Sequence, residues 1–314
     1  MSAPVAAAEP VGPQEITRGS VFDIGYQRYT GPREGRGRGR LAVYKDGIRI
    51  AMGLGRGGRA KVMPWLFIAV LLLIGFIMAT IAGAMSRFIG QEMTEQLDLP
   101  SHSDYYGYAS IVLFIFAAVR APDMLCPDRR EGTIHLYLVR PLTGSDYVLG
   151  RWLAFFTVMA AVAWLPQLLL LGGLALGNPS PVTYLSEHWK DVPRLLAAGA
   201  AFAGYTTSLA MLVASFTTRR AYASVFLVGL FLISTPFTTG LAIEIGGTAG
   251  RWISMFNLSN IPVHVNDVIF ERVSVMTSVA PARELSPSML VGWYFLWTLL
   301  PMLVLWTRYR RITV

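Results

Sequence analysis

VMPWLFIAVLLLIGFIMATIAGAM, residues 62–85, runs without a single charged side chain. As an α-helix this stretch is about 36 Å long at 1.5 Å per residue, more than the ~30 Å of hydrocarbon in a bilayer. Comparable runs recur at 105–119, 147–176, 195–217, 221–243 and 289–306. The whole chain of 314 residues is 54% hydrophobic and 15% charged, with mean hydropathy +0.48. A spanning segment must satisfy its own backbone polar groups, and apolar runs of this length do so as helices. The reading is an all-α integral membrane protein with six transmembrane helices. The second run is short, and the third is long enough to tilt or to kink at Pro166. Trp65, Tyr105, Tyr106, Tyr147, Trp152, Trp293 and Trp306 cluster near the ends of the runs, as in an interfacial aromatic belt.

Ahead of the first run, residues 1–40 are poor in large apolar side chains and end in alternating Arg and Gly from Gly35 to Arg40. Such a composition cannot bury a core, so it reads as a disordered cytoplasmic tail, suited to anionic lipid headgroups or, less readily, to RNA. Residues 41–61 carry Leu41, Tyr44, Ile48 and Met52 at helical spacing around a polar wedge of Lys45, Asp46 and Arg49, the pattern of an N-terminal interfacial helix. The transmembrane domain then occupies 62–314. The first apolar run lies behind a basic stretch, so the expectation is an uncleaved anchor. Gly53 to Lys61 superficially looks like a phosphate-binding loop, but Arg59-Ala60 follows Gly58 where Lys and Ser or Thr are required.

The net charge of +8 and pI near 9.8 would suit a nucleic-acid partner. Topology accounts for it instead. With the N-terminus inside, 21 of the 27 Lys and Arg fall on the inner side, which is the bias that retains basic flanks in the cytoplasm. Both termini are therefore expected in the cytoplasm of a multi-pass cell (inner or plasma) membrane protein, taken as bacterial, and no nucleic acid is called for.

The six runs hold no Asp, Glu, Lys or His, and Arg151 stands near an entrance, where it can snorkel to the interface. A self-powered proton antiporter is disfavoured by that absence. With no H-E-x-x-H, no paired carboxylates in the spans and no G-x-S-x-G, no catalytic residue is assigned and the chain is not read as an enzyme. Cys126 is the single cysteine with only His135 near it in sequence. His102, His188 and His264 fall in predicted external loops as surface residues, so no metal site is expected. Neutral polar groups do occur in the spans. Thr157, Gln167, Tyr205, Thr206, Ser208, Ser234 and Thr298 are candidates to line a pathway for a partly polar substrate, or to hydrogen-bond helix to helix.

The loop between the second and third runs is the most informative segment. Pro127, Asp128 and Glu131 can open a short helix that stops before Pro141, and Thr143-Gly144-Ser145-Asp146 supplies a capping pattern for the third span. Arg130-Glu131-Gly132-Thr133, an apolar stretch, Arg140-Pro141 and then Tyr147-Val148-Leu149-Gly150-Arg151 resemble the coupling-helix segment of ABC-2 type ABC transporter permeases. The family pattern is Glu-Gly-Thr-Leu-Glu, an apolar helix, Arg-Pro and a later Gly-Lys or Gly-Arg pair. This chain has Ile134-His135 in place of Leu-Glu. The resemblance implies a short cytoplasmic coupling helix within 128–142, with Arg130, Glu131, Gly132, Thr133, Arg140 and Pro141 as ATPase-coupling residues. It further implies an export permease with no cofactor of its own, working as a permease homodimer in membrane lipid. The partner is a separate ABC ATPase in two copies, which binds the ATP and Mg. The alternative is a permease-like scaffold or assembly factor without transport. For residues 244–288 two readings stay open, a re-entrant or interfacial segment over the exit path and an extracellular cap.

Overall fold

The computed structural model of the chain describes residues 31, 35–55, 57–89 (backbone only from 85), 101–138, 142–178, 180–271 and 285–312. Every regular element among them is helical: α1 (Arg36–Ala51), α2 (Gly58–Ile89), α3 (His102–Arg130), α4 (Ile134–Leu138), α5 (Gly144–Gly177), α6 (Pro181–Glu187), α7 (Asp191–Ser215), α8 (Arg220–Ile245), α9 (Gly247–Ser254), α10 (Ile261–Phe270) and α11 (Pro287–Arg310). Six of these, α2, α3, α5, α7, α8 and α11, are long and apolar enough to cross a membrane. Six crossings return the chain to its starting side. The ends of α3, α7 and α11 and the starts of α2, α5 and α8 therefore share one N-terminal face, and the remaining ends form the opposite face.

The helices outrun the apolar runs that announce them. The second run closes at Val119, yet α3 continues through Arg120, Asp123 and Asp128 to Arg130. Its 29 residues and the 34 of α5 are about 44 and 51 Å long, against ~30 Å of hydrocarbon. The surplus carries the charged residues and protrudes at the N-terminal face. There α5 begins at the predicted cap: the Thr143 hydroxyl accepts the Asp146 N–H at 3.3 Å, and the Asp146 carboxylate accepts the Thr143 N–H at 3.0 Å.

Helix α1 starts at Arg36, inside the Arg-Gly run, because Arg36 and Arg40 each donate to Asp146 at 2.7 Å. Its buried stripe is Val43, Gly47 and Ala51, four residues apart. Val43 meets Gly150, and Gly47 lies so close to Ala154 that a Cβ on it would come within 2.5 Å of the Ala154 Cβ. Thus α1 runs alongside the protruding turns of α5. The turn into α2 needs Gly53, whose φ of 69° and approach to the Ala60 carbonyl leave no room for a side chain.

Inside the bundle, α2 and α5 pack through small residues. Gly75 faces the Pro166 carbonyl, Ala79 faces Gly173, and Gly83 faces Gly177. These recur every four residues along α2, giving the close backbone approach on which helices in lipid rely when no hydrophobic force draws them together. Helices α3 and α7 form the interior, with 72% and 67% of their apolar windows buried. For α8 and α11 the share is 22%, and residues such as Val225, Ile233, Phe237 and Leu303 face outward, a surface suited to lipid.

The segment after α8 is a re-entrant hairpin rather than a cap. Tyr205 donates to the Leu258 carbonyl at 2.7 Å and Ser259 donates to the Phe231 carbonyl at 2.7 Å. Tyr205 is 14 residues from the α7 start and Phe231 is 14 from the α8 end, so the tip lies about 21 Å in from the opposite face. Helix α10 then climbs back, where Asn266 donates to the Ser103 carbonyl at 2.7 Å and Arg194 pairs with Glu271 at 3.3 Å. Residues 272–284, the rest of the predicted loop, lie outside the described residues.

Gly173→Leu is expected to lower the thermal midpoint in detergent, by an amount equivalent to about 1–3 kcal/mol, because even its Cβ would sit 2.5 Å from the Ala79 Cβ. Gly172→Leu, where nothing lies within 4 Å, should leave the midpoint in place.

Candidate functional site

The 128–138 segment hangs from the N-terminal face between α3 and α5. Glu131 is the C-cap of α3, not the start of the short helix as its position in the sequence implied, and its carboxylate accepts from Arg130 at 2.9 Å with both side chains more than half exposed. Gly132 has φ 69° with open space around it. Its left-handed turn, which an L side chain resists, is what the chain needs there. Thr133 donates to an Asp128 carboxylate oxygen at 3.2 Å, and α4 follows, presenting Leu136 at 69% exposure. Arg140 and Pro141 lie outside the described residues.

This exposed segment is rooted in Arg151. Its side chain is wholly buried, 2.8 Å from Asp46 of α1 and 2.9 Å from Asp128 at the end of α3. The guanidinium also donates to the Tyr137 hydroxyl of α4 at 3.2 Å and lies over the Tyr137 and Tyr147 rings. Tyr147 donates to the same Asp128 carboxylate at 2.6 Å and stacks on Tyr309 of α11. Burial pushes the Tyr137 phenol up, with Arg151 opposing, so it stays protonated. Arg151 does not snorkel. The surplus length of α5 carries it out of the hydrocarbon, and protein surrounds it there. A planar guanidinium can hold four elements at once in this way, whereas an ammonium would serve as a point charge.

Further arginines extend the arrangement. Arg120 donates to the Ala51 carbonyl at 2.8 Å and to that of Ile50, closing the α1 C-terminus, and pairs with Asp123. Asp123 also accepts Arg220 of α8 at 2.8 Å, while Arg129 donates to the Ser215 carbonyl of α7. Movement of the 128–138 segment thus loads α1, α3, α5, α7 and α8 together. Sequence reading missed this set, although Asp46 is the sole acid among the cations of 35–61, a signal that it has a specific partner.

The candidate pathway residues are dispersed. Thr157 accepts from Tyr44 of α1 and Ser208 from Trp152. Thr206 turns back on the Phe202 carbonyl, Tyr205 holds the hairpin tip, and Thr298 abuts Gly204. Gln167 is bonded to His102, and Ser234 donates to the Phe231 carbonyl beside Ser259. Apart from the Thr206 and Ser234 bonds to carbonyls of their own helices, these contacts join one element to another. A cavity of about 350 Å³ lies elsewhere, between α3, α8 and α10 at the hairpin tip, lined by Phe114, Ile111, Phe231 and Val263 with Ser110, Thr235, Ser259 and Asn260 as its polar groups. Two histidines read as surface residues, His102 and His264, are buried. Among the described residues no cluster of metal-binding side chains occurs.

Replacing Arg151 by Met leaves Asp128, whose side chain is 16% exposed, without its cation, and is expected to cost about 3 kcal/mol in thermal or denaturant unfolding. Asp46→Asn, at a carboxylate 46% exposed, should cost less than about 1 kcal/mol. Equal effects would show that Arg151 serves packing alone.

A family model described as ABC-2 family transporter protein matches residues 59–255, from α2 to just past α9. A search of curated proteins finds no match.

Proposed function

The chain belongs to the ABC-2 transporter family, and on that premise we propose that it is the permease of an ATP-driven exporter, coupled to a separate ATPase through residues 128–142. In this reading the N-terminal face is cytoplasmic, in a bacterial cell membrane. Two copies of the chain pair with two ATP-binding-cassette subunits, which carry the ATP and Mg. The observation that carries the proposal is the union of an exposed loop with a wholly buried root. Arg130, Glu131, Gly132 and Leu136 are open to a partner, while Arg151 ties the loop to α1, α3 and α5. A loop free to flop would absorb a push from the ATPase; one anchored by Arg151 passes it to the spans. The charge bias toward this face supports its placement inside.

The cavity at the hairpin tip is the part of the pathway that this conformation favours. Its walls are apolar and its polar groups are neutral hydroxyls and an amide, so it suits a mainly apolar substrate with a few uncharged hydrogen-bonding groups.

Co-purification of an ATPase, with its activity measured in the assembled complex, tests the reading. Glu131→Lys should reduce assembly or coupled ATPase activity at least tenfold. Its thermal midpoint should be unchanged, since its present pairing is exposed. Glu187→Lys, on α6 at the opposite face, should do neither. Normal assembly and coupling in Glu131→Lys would withdraw the 128–142 loop as the contact. Ser110→Phe, which fills part of the cavity, should leave assembly intact and abolish export; unchanged export would move the pathway elsewhere.

A further inference from the structure

On the outward side of α11 a stripe of residues, Gly292, Leu296, Leu299, Leu303 and Trp306, alternates steps of four and three and ends on Arg310. The apolar members line a groove of about 860 Å³, with Leu149 of α5 on its wall. That is within the size range of small-molecule sites, about 300–1,000 Å³. From Gly292 to Trp306 the groove runs about 21 Å, against about 15 Å of hydrocarbon in one leaflet. Nothing lies within 4 Å of where a Gly292 Cβ would stand, so the inner end is open.

The foot of the groove is level with the ends of the spans at the N-terminal face. Arg308 lies over the ring of Phe216, the C-cap of α7, and the Trp306 indole donates at 3.0 Å to the Ser145 hydroxyl in the first turn of α5. The Arg310 guanidinium lies over the Trp306 ring, 4.7 Å from its centre. Arg310 and Arg311 are exposed, and among the described residues neither pairs with a carboxylate. Next to Ser145, the Asp146 carboxylate is shared by Arg36 and Arg40, whose side chains are half-exposed. One carboxylate among four arginines leaves the foot positive.

Outward leucines alone mark ordinary lipid-facing surface. A groove that ends on an arginine calls for an occupant with an apolar body and an anionic end. A second copy of the chain fits poorly: the two copies share one orientation in the membrane, so a two-fold contact through this stripe sets Arg310 against Arg310. We propose that the groove holds one anionic phospholipid of the leaflet at the N-terminal face, with an acyl chain along Leu296, Leu299 and Leu303 and the phosphate on Arg310. Trp306 holds that guanidinium against its ring and is itself fixed by Ser145. The site stands apart from the exporter reading, because it needs neither an ATPase nor a transported substrate.

The test titrates the delipidated full chain in detergent with dioleoylphosphatidylglycerol, or with the phosphatidylcholine of the same chains, and counts bound lipid by native mass spectrometry. The first should bind at one per chain, at least fivefold more tightly than the second. Arg310→Gln should weaken phosphatidylglycerol about fivefold, the equivalent of about 1 kcal/mol for one basic group near an anionic headgroup, and leave phosphatidylcholine unchanged. Leu303→Gln should weaken both lipids by a similar factor. Arg219→Gln, which removes an exposed cation over Tyr222 near the α8 start, should change neither. Equal affinity for the two lipids overturns the site, as does an equal loss in Arg219→Gln and Arg310→Gln, which would mean diffuse charge attraction. Competition by inorganic phosphate, with both lipid affinities intact in Leu303→Gln, would reduce it to a phosphate site and reject the lipid. Separation of paired chains by Leu303→Gln, with lipid binding unchanged, would seat a second copy there instead. If Arg310→Gln does not elute as a folded chain, Leu303→Gln and the lipid preference of the unsubstituted chain decide by the same criteria.

Discussion

A guanidinium with no access to water must be neutralised where it stands, and the N-terminal face of this protein is arranged around that requirement at Arg151. Its partners come from helices far apart in sequence, Asp46 on α1 and Asp128 on α3, with Tyr137 on α4 and Tyr147 on its own helix. Taking a charge out of water costs several kcal/mol, offset here by two carboxylates within 2.9 Å, although Arg151 Nε has no hydrogen-bond acceptor. Displacing any one of these elements by an ångström or two therefore disturbs all of them. The same demand explains why α5 is long and why α1 lies beside it: without the protruding turns of α5 and the cover of α1, Arg151 would sit in lipid or in water.

The two faces obey different rules. At the N-terminal face, Arg36, Arg40, Arg120, Arg129, Arg151 and Arg220 engage carboxylates or helix-end carbonyls, and charge-assisted bonds of this kind resist rearrangement. At the opposite face most cross-links are single neutral bonds, with the exposed Arg194–Glu271 pair as a charged one, and the hairpin between α8 and α11 reaches mid-bundle on hydroxyl, amide and indole contacts. A rigid end that receives force and a loosely bonded end that yields is the mechanical pattern expected of a transporter with one driven side.

Much of this architecture is legible in the sequence, for local reasons. Apolar runs, the second of them short and the third carrying Arg151, identify all six spans, and Thr143 with Asp146 marks where α5 begins. What escapes local reading depends on distant partners. Arg120 and Asp123 look like the end of a span until Ala51 and Arg220 are seen to receive them. His102 and His264 look like loop residues because burial, by Gln167 of α5 in the case of His102, leaves no trace in their own neighbourhoods. The pathway candidates were chosen for being polar within spans, whereas Ser259 and Asn260 line the cavity from a segment that hydropathy places outside the membrane. Gly132 serves a left-handed turn, which its place in the motif does not announce.

The central claim is that the 128–138 loop, α1 and the start of α5 move as one body held by Arg151. Electron–electron distance measurement between spin labels at Leu136 and Lys45, both exposed, tests it in the complex with the proposed ATPase partner, with and without trapped nucleotide. The account predicts one narrow distance that nucleotide does not change, and a broad distribution once Arg151 is replaced by Met. A distance that shifts with nucleotide in the unsubstituted chain, or stays narrow in Arg151→Met, would contradict it.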